Sequence, residues 1–212
     1  MPGLDAFDNN VRRYEAWFEE NPFAYVSELH ALQALLPLSE NGIELGIGTG
    51  RFAFPLGIRT GVDPSRAMAE LARKKGIEVF FGVAENLPFK DTTFDFILMV
   101  TTICFLDDID LAFQESYRVL KPGGSLIIGF VDKNSPIGKA YLLRKSESLF
   151  YKDATFYSVD ELLPHLTTAG FKTFSFRQTL FDPIENMKEP SSTKEGHGDG
   201  SFVVIRAEKG KQ

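Results

Sequence analysis

The sequence predicts an α/β fold, a mostly parallel sheet wound by helices on both faces. Three observations carry that expectation. Short apolar runs that read as strands alternate with segments of helical spacing, the pattern that builds parallel strands joined by crossover helices. One run, Phe94–Val100, is apolar almost throughout, as a strand buried on both faces should be. The stretch Ile43-Glu44-Leu45-Gly46-Ile47-Gly48-Thr49-Gly50 ends a short apolar run in closely spaced glycines. There the backbone can turn at positive φ and approach a ligand closely.

The elements follow in order. Tyr14, Trp17 and Phe18 fall three and four apart, one face of a helix. Asn21-Pro22 breaks it. A second helix is expected from Phe23 to Leu36, with Leu29, Leu32, Leu35 and Leu36 inward, and Pro37 ends it. Ile43–Leu45 is strand one, and the helix after the glycine turn must be short because Pro55 and Gly57 interrupt it. Gly61-Val62-Asp63 closes strand two, and Pro64-Ser65 opens a helix to about Lys75, with proline in its first turn. Val79–Phe81 and Phe94–Val100 are strands three and four. Asp110–Leu120 is a helix closed by Lys121-Pro122-Gly123-Gly124, and Ser125–Phe130 is strand five. Ser158 and Glu161 form a capping box for a helix to Ala169, which Gly170 ends. Thr173–Leu180 and Phe202–Ala207 are the last strands. With no helix between them, they are expected to pair as an antiparallel hairpin at the sheet edge. The sum is a Rossmann-like, seven-stranded, mostly parallel sheet in a single domain, and such sheets bind ligands outside the strands' carboxyl ends.

Length and composition narrow the function. The 212 residues suffice for one large domain. A net charge of −6 gives no bulk basic footprint for nucleic acid. The single cysteine, Cys104, excludes an intrachain disulfide and fits a reducing compartment, so a cytoplasmic location is expected. No apolar run is long enough to span a membrane. Asp5 and Asp8 near the start do not suit a signal peptide. No metal site is expected. The polar stretch Glu185–Gly200 reads as a mobile loop.

The glycine loop admits three ligands. A phosphate-binding P-loop is set aside, because Arg51 stands where no Lys-Ser/Thr pair follows. A dinucleotide fingerprint is formally present as Gly48, Gly50 and Ala53. The third reading includes Glu44. An acid facing the crevice beside backbone donors suits a ligand that carries both a carboxylate and a cationic amine. Asp63 ends the next strand about 20 residues on, the spacing at which an acid accepts from ribose hydroxyls; its alternative role is to cap the helix at Pro64.

The set ELGIGTG, GVDPS, AENLPF, FDFILMV, RVLKPGGSLII and ELLPHLTTAGF resembles the class I S-adenosylmethionine-dependent methyltransferases, the branch acting mostly on small molecules. The likeness covers residues 41–131 strongly, and 156–172 and 202–207 more loosely. It implies S-adenosylmethionine as cofactor and a role for each matched residue. Glu44 and Gly46 would hold the methionine amine and carboxylate, with Gly48 and Gly50 under the cofactor. Asp63 would accept from the ribose, Pro64 and Ser65 would border the adenine, and the Ala84 N–H would reach its ring. Thr101 would lie near the methionine end. Family members often carry Asp just before that alanine to read the adenine amino group. Here the residue is Val83, so either Glu85 takes over or the contact is lost with some affinity. The rivals are a nicotinamide-dependent oxidoreductase and a cofactor-binding protein without catalysis. The nicotinamide reading leaves AENLPF and LKPGG unexplained.

Methyl transfer from a sulfonium needs mainly a nucleophile held in line. The sequence shows no marked general base: His30, His165 and His197 all read as surface or packing residues. A small-molecule acceptor is expected to sit between two variable parts. One is an N-terminal helical lid, residues 1–40, with Tyr14, Trp17 and Phe18. The other is an insert, residues 132–157, with Tyr141, Phe150, Tyr151, Phe156 and Tyr157. Residues 41–131 would be the cofactor-binding core, and 158–212 the closing helix and hairpin.

Overall fold

The computed structural model describes residues 4–39 and 41–211; positions 1–3, 40 and 212 of the expected lid and hairpin lie outside them. Among the described residues eight strands form one sheet, β1 Gly42–Leu45, β2 Thr60–Asp63, β3 Glu78–Phe81, β4 Phe94–Val100, β5 Leu120–Val131, β6 Thr173–Thr179, β7 Lys194–Glu195 and β8 Phe202–Glu208. Their order is β3-β2-β1-β4-β5-β8-β6-β7. The first five are parallel, and β8 runs antiparallel between β5 and β6.

The sheet therefore has one strand more than the seven expected. The addition is β7, a two-residue strand on β6 within the polar stretch read as a mobile loop. Two exposed residues carry no apolar alternation to announce a strand. That stretch is also tied down by side chains. Thr179 Oγ1 donates to the Ser192 carbonyl, and Gln178 Oε1 accepts from the N–H groups of Asp199 and Gly200.

Among the described residues seven α-helices flank the sheet, α1 Leu4–Asn9, α2 Val11–Glu20, α3 Pro22–Gln33, α4 Arg66–Lys74, α5 Ile109–Val119, α6 Pro136–Leu143 and α7 Val159–Thr168. β4 shows why both faces must be covered. Ile97 and Met99 point into the layer shared with α5 and α7, while Phe96, Leu98 and Val100 point into the layer shared with α3 and α4, the period-two alternation of a pleated strand. Ser158 and Glu161 complete the expected capping box of α7.

Four expectations are corrected. The N-terminal part begins with a separate short helix, α1, which has no fully buried residue and only Leu4 and Phe7 as large apolar side chains. In α3 the inward stripe is Ala24, Ser27, Glu28, Ala31 and Leu32, and Leu35 just beyond it is buried too; Leu29 and Leu36 are only partly buried. After the glycine turn, residues 51–57 form successive turns and no helix, because Pro55 and Gly57 stop propagation. Pro64 precedes α4 instead of lying in its first turn, and Ser65 is the N-cap, accepting from the Met68 N–H.

Strand order reverses between β1 and β4, the topological switch point at which such sheets bind ligands. The loops after β1, β2 and β4 meet there.

Candidate active site

Three loops build the crevice. After β1, Gly46, Gly48 and Gly50 all take positive φ, 70°, 54° and 76°. At Gly46 a Cβ would sit 2.4 Å from Thr102 Oγ1, so only glycine lets the β1 and β4 loops meet. After β2, the Asp63 carboxylate holds the glycine loop in place. Its Oδ2 accepts from the Gly48 N–H at 2.6 Å, and its Oδ1 accepts from the Ser65 N–H at 2.8 Å. Burial pushes the Asp63 pKa up to about 6, against the pull of those two N–H groups. The helix-capping role that was the alternative for Asp63 is taken by Ser65. After β4, Thr101 sits at φ 50°, a conformation costly for a non-glycine residue and held only by its surroundings.

Glu44 lies at the end of β1, 1% exposed, behind the loop. Burial raises its pKa well above the usual carboxylate range, with the Ala53 N–H as the opposing contact. Its Oε2 has no hydrogen-bond partner.

The N-terminal helices close over these loops through polar contacts. Asp8 Oδ1 accepts from Ser65 Oγ at 2.5 Å and from the Ala67 N–H at 3.3 Å. Glu15 accepts from Thr49 Oγ1 at 2.5 Å and pairs with Arg51 at 2.5 Å. Tyr25 donates its hydroxyl to the Arg51 carbonyl. The tyrosine hydroxyl of Tyr14 lies over Gly48, 3.4 Å from where a Cβ would be.

The insert supplies the facing wall. Asp132 joins its ends, accepting from the Asn134 N–H at 2.7 Å and the Val159 N–H at 2.9 Å. Within it Tyr141 stacks on Tyr151 with centroids 5.6 Å apart, and Tyr151 stacks on Phe105 at 5.7 Å. Phe150 stacks on Phe7 of α1 at 5.0 Å. The N-terminal helices and the segment 141–151 thus share one aromatic layer.

Between these parts lies a cavity of about 690 Å³. Gly46, Gly48, Asp63, Pro64, Ser65 and Thr101 line it on the sheet side, and Tyr14, Trp17 and Phe18 on the other. Glu44, Gly50, Ala84 and Glu85 stand outside its wall. Gly50 packs toward Ile77, and Ala84 joins the core beside Leu87 and Phe94. Glu85 Oε1 accepts from the Asp107 N–H at 2.8 Å, linking the β3 loop to the approach of α5. Val83 bridges to Asn86. The three histidines lie elsewhere: His165 contacts Asp110 at 2.6 Å, His197 packs on Phe176, and His30 is exposed. Cys104 is buried, its pKa pushed up to about 12, and its Sγ donates to the Thr101 carbonyl.

Several cavity residues were missed, among them Phe7, Phe52, Met68, Phe105 and, alone among them a buried acid, Glu28. Glu28 lines the wall at 4% exposure. Its position on the α3 stripe with Ala24 and Ala31 is the sequence signal that could have found it.

A methyltransferase-domain family model matches residues 43–128. The crystal structure of an S-adenosylmethionine-dependent methyltransferase from Thermotoga maritima, named there as a possible histamine N-methyltransferase, superposes with a TM-score of 0.95. It is 52% identical, covering 97% of this chain and 99% of its own. The chain belongs to the S-adenosylmethionine-dependent methyltransferases. An uncharacterised protein of Methanocaldococcus jannaschii is 44% identical, over 97% of this chain and 100% of that one. A Haemonchus contortus phosphoethanolamine N-methyltransferase bound to S-adenosylmethionine matches at a TM-score of 0.69 but only 16% identity, covering 96% of this chain and 57% of its own, which shows the fold alone.

The protein is therefore an enzyme with S-adenosylmethionine as cofactor. Its own residues fit that group: the cavity volume lies in the range of small-molecule sites, and a buried acid with an unpartnered oxygen stands beside the glycine turn. Among the described residues no helix is long and apolar enough to cross a membrane.

Proposed function

We propose that this methyltransferase methylates a small molecule held in the same cavity as its cofactor, under the N-terminal helices acting as a lid. The observation that carries the reading is the continuity of the cavity. It runs from Gly46 and Asp63 at the strand ends to Trp17, Tyr141 and Tyr151 on the aromatic side. A site of this size, closed by side chains of one chain, suits a small planar or cationic acceptor. The Thermotoga protein, named as a possible histamine N-methyltransferase, supports the same reading, since histamine is a small amine.

When bound, S-adenosylmethionine supplies a methyl group on a positively charged sulfur that needs no further activation. The protein's work is to bind, orient and exclude water. Asp63 would accept from the ribose hydroxyls, and Pro64 and Ser65 would flank the adenine. The acid and backbone of Glu44 and Gly46 would face the amino-acid end, with Gly48 and Gly50 beneath and Thr101 beside it. Ala84 would meet the adenine with its N–H, and Glu85 would serve that edge only by leaving the Asp107 N–H. Closing the lid would fix the acceptor and keep water out. We place the enzyme in the cytoplasm, on its lone cysteine.

Turnover with S-adenosylmethionine on a panel of small amines, phenols, thiols and carboxylates tests this reading. Methylation of at least one panel member is expected. Methylation of protein or nucleic acid with none of the panel accepted would overturn it.

A further inference from the structure

Glu28 is the one buried carboxylate on the cavity wall that the cofactor roles leave unused. It sits on α3 at 4% exposure and lines the cavity. Among the described residues its carboxylate accepts no hydrogen bond and joins no ion pair, and burial alone is what shifts it, raising its pKa to about 8. A buried acid normally finds a donor, because an unpaired one is costly. One that faces a cavity without a donor is matched to a donor the ligand brings.

Its surroundings define that donor. Tyr14 of α2, Tyr25 of α3, Tyr141 of α6 and Tyr151 of the insert all feel the Glu28 charge. Burial raises each tyrosine, so all four stay neutral near pH 7. Arg13 and Arg144 line the mouth but are exposed, and neither pairs with Glu28. The aromatic end of the cavity thus holds one buried carboxylate, with Glu20 and Glu147 exposed at its rim like the two arginines, and among the described residues no buried cation lines it. Carboxylate and aromatic faces together favour an organic ammonium.

We propose that Glu28 is the acceptor-recognition residue, and that the acceptor is a small amine whose protonated nitrogen pairs with this carboxylate inside the aromatic cavity. The proposal rests on the small-molecule reading above and adds the substrate class and the residue that selects it. Because Glu28 is protonated in the free enzyme near pH 7, pairing with an ammonium requires it to ionise. Its proton leaves to the buffer, so amine binding at pH 7 releases protons.

The test is calorimetric titration of the full chain, saturated with S-adenosylhomocysteine. The titrants are aliphatic and arylalkyl amines, each matched with the alcohol of the same skeleton, in two pH 7 buffers of different ionisation enthalpy. The expected result is that at least one amine binds, its alcohol binds at least tenfold more weakly, and a fraction of a proton up to one is released. Glu28→Gln, which keeps shape and removes the charge, should weaken that amine at least thirtyfold and abolish proton release. Its S-adenosylhomocysteine affinity should stay within about twofold of wild type. A buried acid with a merely structural role would move neither the amine–alcohol preference nor the proton count. No amine binding to the saturated wild type, equal binding of the alcohols, or unchanged amine affinity in Glu28→Gln would overturn the proposal. Methylation of non-amine members of the acceptor panel would then leave the small-molecule reading intact, whereas failure of S-adenosylhomocysteine itself to bind would strike the cofactor site.

Discussion

At the scale of single residues, the site is governed by acids that burial holds above their usual proton affinity. Asp63 is the most connected. Its carboxylate draws Gly48 and Ser65 together at the end of β2 and still borders the cavity. Asp63→Ala should weaken cofactor binding by about 1.5–3 kcal/mol, the range for hydrogen bonds to a charged group. Calorimetry with S-adenosylhomocysteine reads this directly, and a change under twofold would mean that Asp63 only shapes the loop. The same acids set a pH dependence. Asp63, titrating near 6, and Glu28, near 8, together with the raised Glu44, bind protons more tightly in the folded chain than in the unfolded one. The folded state therefore holds more protons, and stability falls as pH rises through those values. Glu15, Asp95, Glu115 and Glu161 are shifted down by their partners; what they add is present above the ordinary carboxylate pKa and is lost in acid. The ligand-free enzyme should thus be most stable near pH 5 and melt lower at pH 9. Glu28→Gln should flatten the alkaline limb of the melting curve. A melting temperature that rises from pH 5 to pH 9 would contradict this assignment.

At the scale of elements, the N-terminal helices combine two roles. Phe18 is 6% exposed and packs edge-on against Tyr25 and Phe52, so α2 contributes to the core. Its neighbours on the same face, Tyr14 and Trp17, look into the cavity. The polar contacts of Glu15 with Thr49 and Arg51 fasten this helix to the glycine loop itself. A helix fastened this way should respond to what the loop binds, as the proposed lid requires. Trp17 is the sole tryptophan, so its emission should change when S-adenosylmethionine saturates the site. Glu15→Ala should reduce cofactor affinity several-fold while shifting the melting temperature little, since the pair is partly solvent-exposed. Constant Trp17 emission through saturation would remove the support for a lid.

At the scale of the whole molecule, the legible part was the winding. Alternating apolar runs and helical segments foretold the parallel strands, because an apolar sheet must be covered by helices on its faces. The doubly covered β4 was legible for the same reason. The glycine spacing and Asp63 placed the crevice at the switch point. What escaped depended on contacts between distant segments. The absent helix after the glycines was hidden because turns and a short helix share composition. The two-residue β7 has no pattern of its own. Glu28 escaped because the inward face of α3 was assigned to its leucines, whereas small residues let that helix approach the sheet and leave room for a cavity. The linkage of α1 to the β4 loop and the segment 150–151 through Phe7, Phe150, Tyr151 and Phe105 joins positions far apart in the chain, which no local periodicity encodes.

The central claim is that the glycine loop, the β2 acid and the aromatic cavity form one cofactor and acceptor site. A crystal structure of the full chain with S-adenosylhomocysteine tests it most directly. The expected density places the ribose on Asp63, the adenine beside Pro64 and Ser65, and the sulfur facing the space bordered by Trp17, Tyr141 and Glu28. Density outside this cavity, or a ribose that makes no contact with Asp63, would contradict it.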